Sequence, residues 1–123
     1  MTQQLTVIIA SIFGVLAVIF GAFGAHILKK KLTSEQLTSF ETGVKYQMYH
    51  AIVLLILGFQ FNTKFSTSIW CFSFGILLFS FSIYGLVLSD AFGKKLRILG
   101  PITPIGGLLL VAGWLSILIS QIT

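Results

Sequence analysis

"LTVIIASIFGVLAVIFGAFGAHILKKK", Leu5 to Lys31, is the stretch whose reading decides the fold. From Leu5 to Ala25 it carries no charged residue, and Lys29, Lys30 and Lys31 follow directly. A helix needs about 20 apolar residues to cross a hydrocarbon core, and this run is that long. "AFGA" resembles a signal-peptide cleavage site, but the preceding MTQQL contains no Lys or Arg, so the basic n-region is missing. The lysines come after the run. The stretch therefore reads as a retained span with its C-terminal end in the cytoplasm.

The rest of the chain agrees with a lipid solvent. Of 123 residues, 56% are hydrophobic and 9% charged, with a mean hydropathy of +1.01. Soluble domains carry about a quarter charged residues. One membrane domain, 1–123, is the reading, with the lipid bilayer as its principal partner. The net charge of +5 does not point to nucleic acid, because the basic residues fall in the gaps between apolar runs and form no face on a soluble domain. Cys71, the single cysteine, lies inside an apolar run and reads as packing.

Three further runs complete spans at about 5–25, 44–61, 68–88 and 102–122. None alternates strictly, and no Asn-Gly or Asp-Gly pair marks a hairpin. Helices also satisfy their own backbone in lipid. The predicted fold is all-α, an integral membrane four-transmembrane-helix bundle. Lys29, Lys30, Lys31, Lys45, Lys94, Lys95 and Arg97 fall on one side of it, and Lys64 alone on the other. Cytoplasmic loops are the basic ones, so both termini are predicted on the non-cytoplasmic side. Between the first two spans, Thr33 followed by Gln36 is a capping-box pattern, and Leu37, Phe40 and Val44 share a face. This predicts a short amphipathic interfacial helix over about 34–43 that bends into the second span near Gly43.

Small residues form seams. Ala10, Gly14, Ala17, Gly21 and Gly24 are spaced 4, 3, 4, 3, and Gly75, Leu78, Ser82, Gly85 and Ser89 are spaced 3, 4, 3, 4. In the last span Gly106, Gly113 and Ser120 recur every seven residues. Lipid gives no hydrophobic reward for helix contact, so close backbone approach must supply the attraction. The second span differs, with Gly43, Gln47, His50, Leu54, Leu57 and Phe61 on its seam. The expectation is that its large side chains fill grooves on the other three. The same small seams leave a homo-oligomer open. A weak repeat at an offset of 61 aligns Phe13-Gly14 with Phe74-Gly75, and Phe20 with Phe81. It marks either an old duplication of a two-helix unit or chance.

The chemistry gathers in the cytoplasmic half. His50 and Gln47 lie on the second seam, with Tyr46 one turn before His50. Ser82 and Tyr84 come from the third span. Thr103 stands at the start of the fourth, where it can cap with Pro104 at the first helical position. These six form a candidate polar pocket, and the start of the fourth helix could hold an anion or a small ligand. Ionisable residues within a membrane are functional candidates. Three roles stay open for His50: a satisfied interhelical hydrogen-bonder, a proton or ligand site, or metal or haem ligation. Two histidines without a spacing motif are a poor metal signal. Asp90 is expected to pair with a nearby lysine. Trp70 fits an interface anchor, and Trp114, mid-span, reads as packing. There is no nucleophile–base–acid set, no phosphate loop and no paired carboxylates. No catalytic residue, metal or cofactor is assigned, and the reading leans away from an enzyme.

"GAFGAH" (21–26), "TGVKYQMYHA" (42–51) and "ITPIGGLLLVAGW" (102–114), in that order, resemble the YwdK/YgdD-type small bacterial membrane proteins, domain-of-unknown-function family four-two-three. The resemblance covers nearly the whole chain and implies a multipass protein of the bacterial inner membrane. It supplies no activity. Its motif positions here are Gly21, Gly24, His26, Thr42, Gly43, Tyr46, Gln47, Tyr49, His50, Thr103, Pro104, Gly106, Gly107, Gly113 and Trp114. The family pattern Ser-Gly-Ser-Leu-Tyr reads Ser80-Phe81-Ser82-Ile83-Tyr84 in this chain, so a phenylalanine replaces a glycine. Beside a cofactor-binding membrane enzyme, the least favoured reading, two functions stand as expectations. One is a binding or transport-related protein with its pocket around His50. The other is a structural or assembly protein that packs through its small seams.

Overall fold

The computed structural model describes residues 1–123, all helix and connection with no strand. α1 is Gln3–His26. Thr2 caps it by accepting from the Leu5 amide at 3.1 Å. A 3-10 turn, Leu28–Lys30, leads to α2, Ser34–Phe59. The capping box read from the sequence is formed: Thr33 Oγ1 accepts from the Gln36 amide at 3.2 Å, and Gln36 Oε1 from the Thr33 amide at 2.9 Å. α2 then runs without a break through Gly43, so residues 34–43 are the first turns of a longer helix.

The third rod is composite. α3, Ser66–Ile76, passes through a π turn, Leu77–Phe81, into α4, Ser82–Ala91. It ends at Gly93, whose φ of 90° only glycine adopts readily. A 3-10 turn, Arg97–Leu99, precedes α5, Ile102–Ile122.

The start of α5 corrects one expectation. Thr103 does not cap the helix; the flanking residue is Pro101, with no side-chain cap. Gly100 and Pro101 already have helical backbone angles, so the helix begins before Thr103. Pro104 is then the third helical residue, and it is tolerated because first-turn amides have no intrahelical acceptor.

Three of the four rods are long and apolar enough to cross a membrane: Gln3–Lys30, Thr63–Ala91 and Arg97–Ile122. α2 falls short because it opens on "SEQLTSFETG" and carries Gln47 and His50 further along.

α1 and α2 lie antiparallel along their length. Gly24 of α1 faces the Phe40 ring near the start of α2, and Gly58 near its end faces Val7 and Thr6. The third rod and α5 are antiparallel in the same way, through Phe72 with Gly113, Gly75 with Leu110 and Leu78 with Gly106. The two pairs meet where the third rod packs on α2. The larger core cluster includes Phe13, Leu54, Ile69, Phe72, Ile76 and Leu110. A smaller one, Leu28, Phe40, Tyr84 and Val87, sits at the end that bears the lysine-rich loops.

The glycines of the third rod and α5 are filled by each other, where the sequence reading has α2 fill them. A Cβ on Gly113 would stand 2.6 Å from the Phe72 ring, and one on Gly75 2.6 Å from Leu110 Cδ2. Gly106 is tighter still: its Cβ would meet backbone, 2.5 Å from the Leu78 carbonyl carbon and 2.7 Å from Phe79 Cα. That contact falls on the π turn. α2 meets a glycine groove only on α1, where Phe40 lies on Gly24 and Val44 beside Gly21. Gly14 has nothing near it. Its repeat partner Gly75 is tightly packed, and Phe13 is buried while Phe74 is exposed, so equivalent positions of the weak repeat occupy different surroundings.

Candidate functional site

The six candidate pocket residues and their partners form three separate sets of hydrogen bonds; of the other buried polar side chains, Thr6 and Ser73 bond carbonyls four residues back, and Ser68 Oγ has no partner. Gln47 is the centre of the first. It is 0% exposed and uses both ends of its amide: Nε2 donates to the Phe13 carbonyl at 2.8 Å, and Oε1 accepts from the Tyr84 hydroxyl at 2.7 Å. One side chain on α2 thus ties α1 to α4. Beside it Ser80 Oγ donates to the Gly43 carbonyl at 2.7 Å, a second tie between α2 and the third rod. Buried amides and hydroxyls cost free energy unless paired, and these pairs meet that need.

His50 forms the second set. It is 5% exposed. Nδ1 lies 2.7 Å from the Tyr46 carbonyl, and Nε2 lies 3.1 Å from Trp114 Nε1. A carbonyl only accepts and an indole N–H only donates, so these partners fix the tautomer with its proton on Nδ1. Both ring nitrogens are therefore occupied within the protein. The Tyr46 ring packs on Phe79, with centroids 5.1 Å apart, and Trp114 is 50% exposed. The bond from Trp114 spans the gap between α2 and α5.

The third set joins Ser82 and Thr103 by their hydroxyls. Ser82 Oγ also serves the Leu78 and Phe79 carbonyls inside the π turn, where the helix ladder is widened.

The six candidate pocket residues thus do not converge on one cavity. Gln47 meets Tyr84, His50 meets Tyr46, and Ser82 meets Thr103. The position where the family pattern has glycine is filled: the Phe81 ring packs against Phe13, Phe20 and Tyr84 at centroid distances of 6.3, 6.1 and 5.5 Å.

Open space lies nearer the lysine-rich end. A groove of about 820 Å³ runs between the start of α2, the end of α4 and the start of α5. Ile83, Leu86 and Val87 line it on the apolar side, and Ser39, Thr42 and Thr103 add hydroxyls. Glu35, Asp90, Lys95 and Arg97 supply charge, and all four are exposed. Thr103 is the one candidate residue that borders this groove. Asp90 takes Gln36 Nε2 at 3.0 Å, where a lysine is the expected partner. Gln36 is available because its other end is engaged in the capping box. Only the start of α5 among the groove's walls has a signal in the sequence, because the other walls come from elements far apart in the chain. Trp114 as the partner of His50 had one: an indole N–H in mid-span needs an acceptor.

Residues 20–107 match a family described as a protein of unknown function, DUF423. A UPF0382 membrane protein of Staphylococcus haemolyticus, SH2409, is 42% identical over 96% of this chain and 95% of its own length. YwdK of Bacillus subtilis, also a UPF0382 membrane protein, is 36% identical over 98% of each chain. The UPF0382 inner membrane protein YgdD of Escherichia coli K12 is 37% identical over 99% of this chain and 92% of its own. No solved structure matches. Matched along nearly its whole length by such relatives, and composed of apolar helices, the chain belongs to the DUF423 family of bacterial membrane proteins.

Proposed function

We propose that this is a single-domain, four-span protein of the bacterial inner membrane, with both termini on the non-cytoplasmic side, that binds a small polar ligand at the cytoplasmic ends of its helices. The observation that carries the reading is the 820 Å³ groove with charged and hydroxyl side chains, at the end of a bundle zipped elsewhere by glycine contacts. This moves the ligand site from His50 toward the cytoplasm. His50, Gln47, Tyr46, Tyr84 and Ser82 become the polar joints that hold the groove walls in register, and Thr103 belongs to both.

The second crossing is α2 from about residue 43. It lies antiparallel to α1 end to end, so it traverses whatever thickness α1 traverses. Residues 43–59 rise about 25 Å at 1.5 Å per residue, slightly less than a hydrocarbon core of about 30 Å. The turns before Gly43 then lie at the inner interface, with the capping box at the cytoplasmic end. Single cysteines in a Cys71→Ser background test this. Asn62→Cys should react with a membrane-impermeant maleimide on intact cells, and Lys30→Cys and Lys94→Cys only after permeabilisation. Reaction of Asn62→Cys and Lys30→Cys on the same side would refute a second crossing. For the ligand, native mass spectrometry of the gently extracted protein should show a retained small molecule or lipid. Ser39→Trp, which fills the groove, should release it. Identical spectra would refute the site.

A second reading, assembly through α1, is favoured by Gly14, which lies on a small-residue seam yet has nothing near it. Cross-linking of Ser11→Cys protomers in the membrane would support a homo-oligomer through that helix, and absence of the cross-link would oppose it.

A further inference from the structure

We infer that the groove takes a phosphate-and-amine headgroup, the chemistry of phosphoethanolamine, borne by a lipid of the inner leaflet or free in solution. The inference rests on the groove being the ligand site. Its charges are of both signs. Glu35 and Asp90 stand on the α2 and α4 walls, and Lys95 and Arg97 come from the α4–α5 connection. An arginine matches phosphate geometry with paired N–H donors, and carboxylates accept from an ammonium group. A purely anionic ligand would face Glu35 and Asp90 at a cost, and a purely cationic one would face Lys95 and Arg97. A zwitterion satisfies both.

Two further features narrow the source. Ile83, Leu86 and Val87 give the groove an apolar side continuous with the third rod, which suits a headgroup still attached to acyl chains. The groove also sits at the lysine-rich ends of the helices, the level of an inner-leaflet headgroup. Asp90 is also held in place: Gln36 fixes one carboxylate oxygen and leaves the other for a ligand.

The test uses the full-length protein, delipidated in mild detergent. Phosphatidylethanolamine, phosphatidylglycerol and soluble phosphoethanolamine are titrated, and bound species are read by native mass spectrometry. Wild type should retain phosphatidylethanolamine about tenfold more tightly than phosphatidylglycerol. Asp90→Asn keeps an oxygen for Gln36 but loses the charge, and should reduce that preference to near unity. Arg97→Gln should weaken both lipids, with Lys95→Gln as the second variant if Arg97→Gln does not fold. Equal displacement of the lipid by phosphoethanolamine at the same concentration would assign the free compound as the source; lack of displacement would assign the lipid. Either result upholds the headgroup chemistry. Equal binding of the two lipids by wild type, or an unchanged preference in Asp90→Asn, overturns the inference while leaving a ligand in the groove. Binding that survives Ser39→Trp overturns the groove reading itself.

Discussion

Gly106→Ala should destabilise the bundle, and Gly14→Ala should not, although the two substitutions are chemically identical. At Gly106 the added methyl would lie 2.5 Å from the Leu78 carbonyl carbon and 2.7 Å from Phe79 Cα. Carbon atoms prefer separations of roughly 3.5–4.0 Å, so α5 must retreat by about 1 Å. No rotamer change relieves this, because the obstacle is backbone. The retreat strains the Ser82–Thr103 bond one turn away and loosens Leu110 over Gly75. Overpacking costs roughly 1–3 kcal/mol, and a lost hydrogen bond costs about 1 more. Against this, alanine gains up to about 1 kcal/mol over glycine within a helix. The net is a loss of about 2 kcal/mol. At Gly14 nothing lies within 4 Å of the new Cβ, so only the helix-propensity gain remains. The assay is thermal unfolding of both variants beside the parent in one detergent. A fall of several degrees for Gly106→Ala, with no fall for Gly14→Ala, is expected. Equal shifts would refute the claim that close approach at the π turn holds the third rod to α5. So would a Gly106→Ala protein as stable as the parent.

Gln47→Leu should lower stability by roughly 1–3 kcal/mol, because it strands the buried Tyr84 hydroxyl. Adding Tyr84→Phe should recover part of that loss, and a double-mutant cycle in thermal unfolding that proves additive would refute the coupling. His50→Leu and Trp114→Phe should each cost on the order of 1 kcal/mol and be similarly non-additive, since they remove two ends of one bond. An unchanged melting temperature for His50→Leu would mean the fold does not need this histidine and would return it to the functional candidates. Gln36→Ala should loosen the start of α2 by about 1 kcal/mol, because it removes both half of the capping box and the tie to Asp90. Hydrogen exchange at residues 34–40 is the readout, and unchanged protection would refute it.

What the sequence discloses here depends on the range of the interaction. Helix existence follows from runs of apolar residues, and the capping box of α2 is complete within four residues, so both are legible along the chain. The seam residues of α2 are also legible, because a helix turns its 3.5-residue period into a face: Gly43, Gln47, His50, Leu54 and Leu57 are all buried, while Phe61 lies past the end of α2 and is half-buried. Partnership is another matter. Gln47 finds a backbone carbonyl, that of Phe13, and no side-chain pattern can announce a carbonyl. Ser80 likewise bonds the carbonyl of Gly43. The π turn is hidden for a related reason. Nothing in "LLFSF" distinguishes it from α-helix, and its stabilising features are a hydroxyl that serves two carbonyls and a glycine from another helix pressed onto its backbone.

The six residues grouped around His50 pair off in three separate hydrogen-bonded sets, for a physical reason that bears on function. A buried donor in lipid is costly without an acceptor, and a bundle of four helices offers many within reach, although Ser68 Oγ goes without one. Gln47, Ser80 and His50 are accordingly engaged as joints between elements. Charge that stays unpaired can persist only where water or a headgroup reaches it, at the helix ends. In this chain Glu35, Asp90, Lys95 and Arg97 meet that condition around one groove. A polar residue deep in a small membrane bundle is accordingly weaker evidence of a site than a set of opposed charges at its rim. Substitutions at Asp90 and Arg97 should change what the protein binds, and substitutions at Gln47 and His50 should change how firmly it holds together.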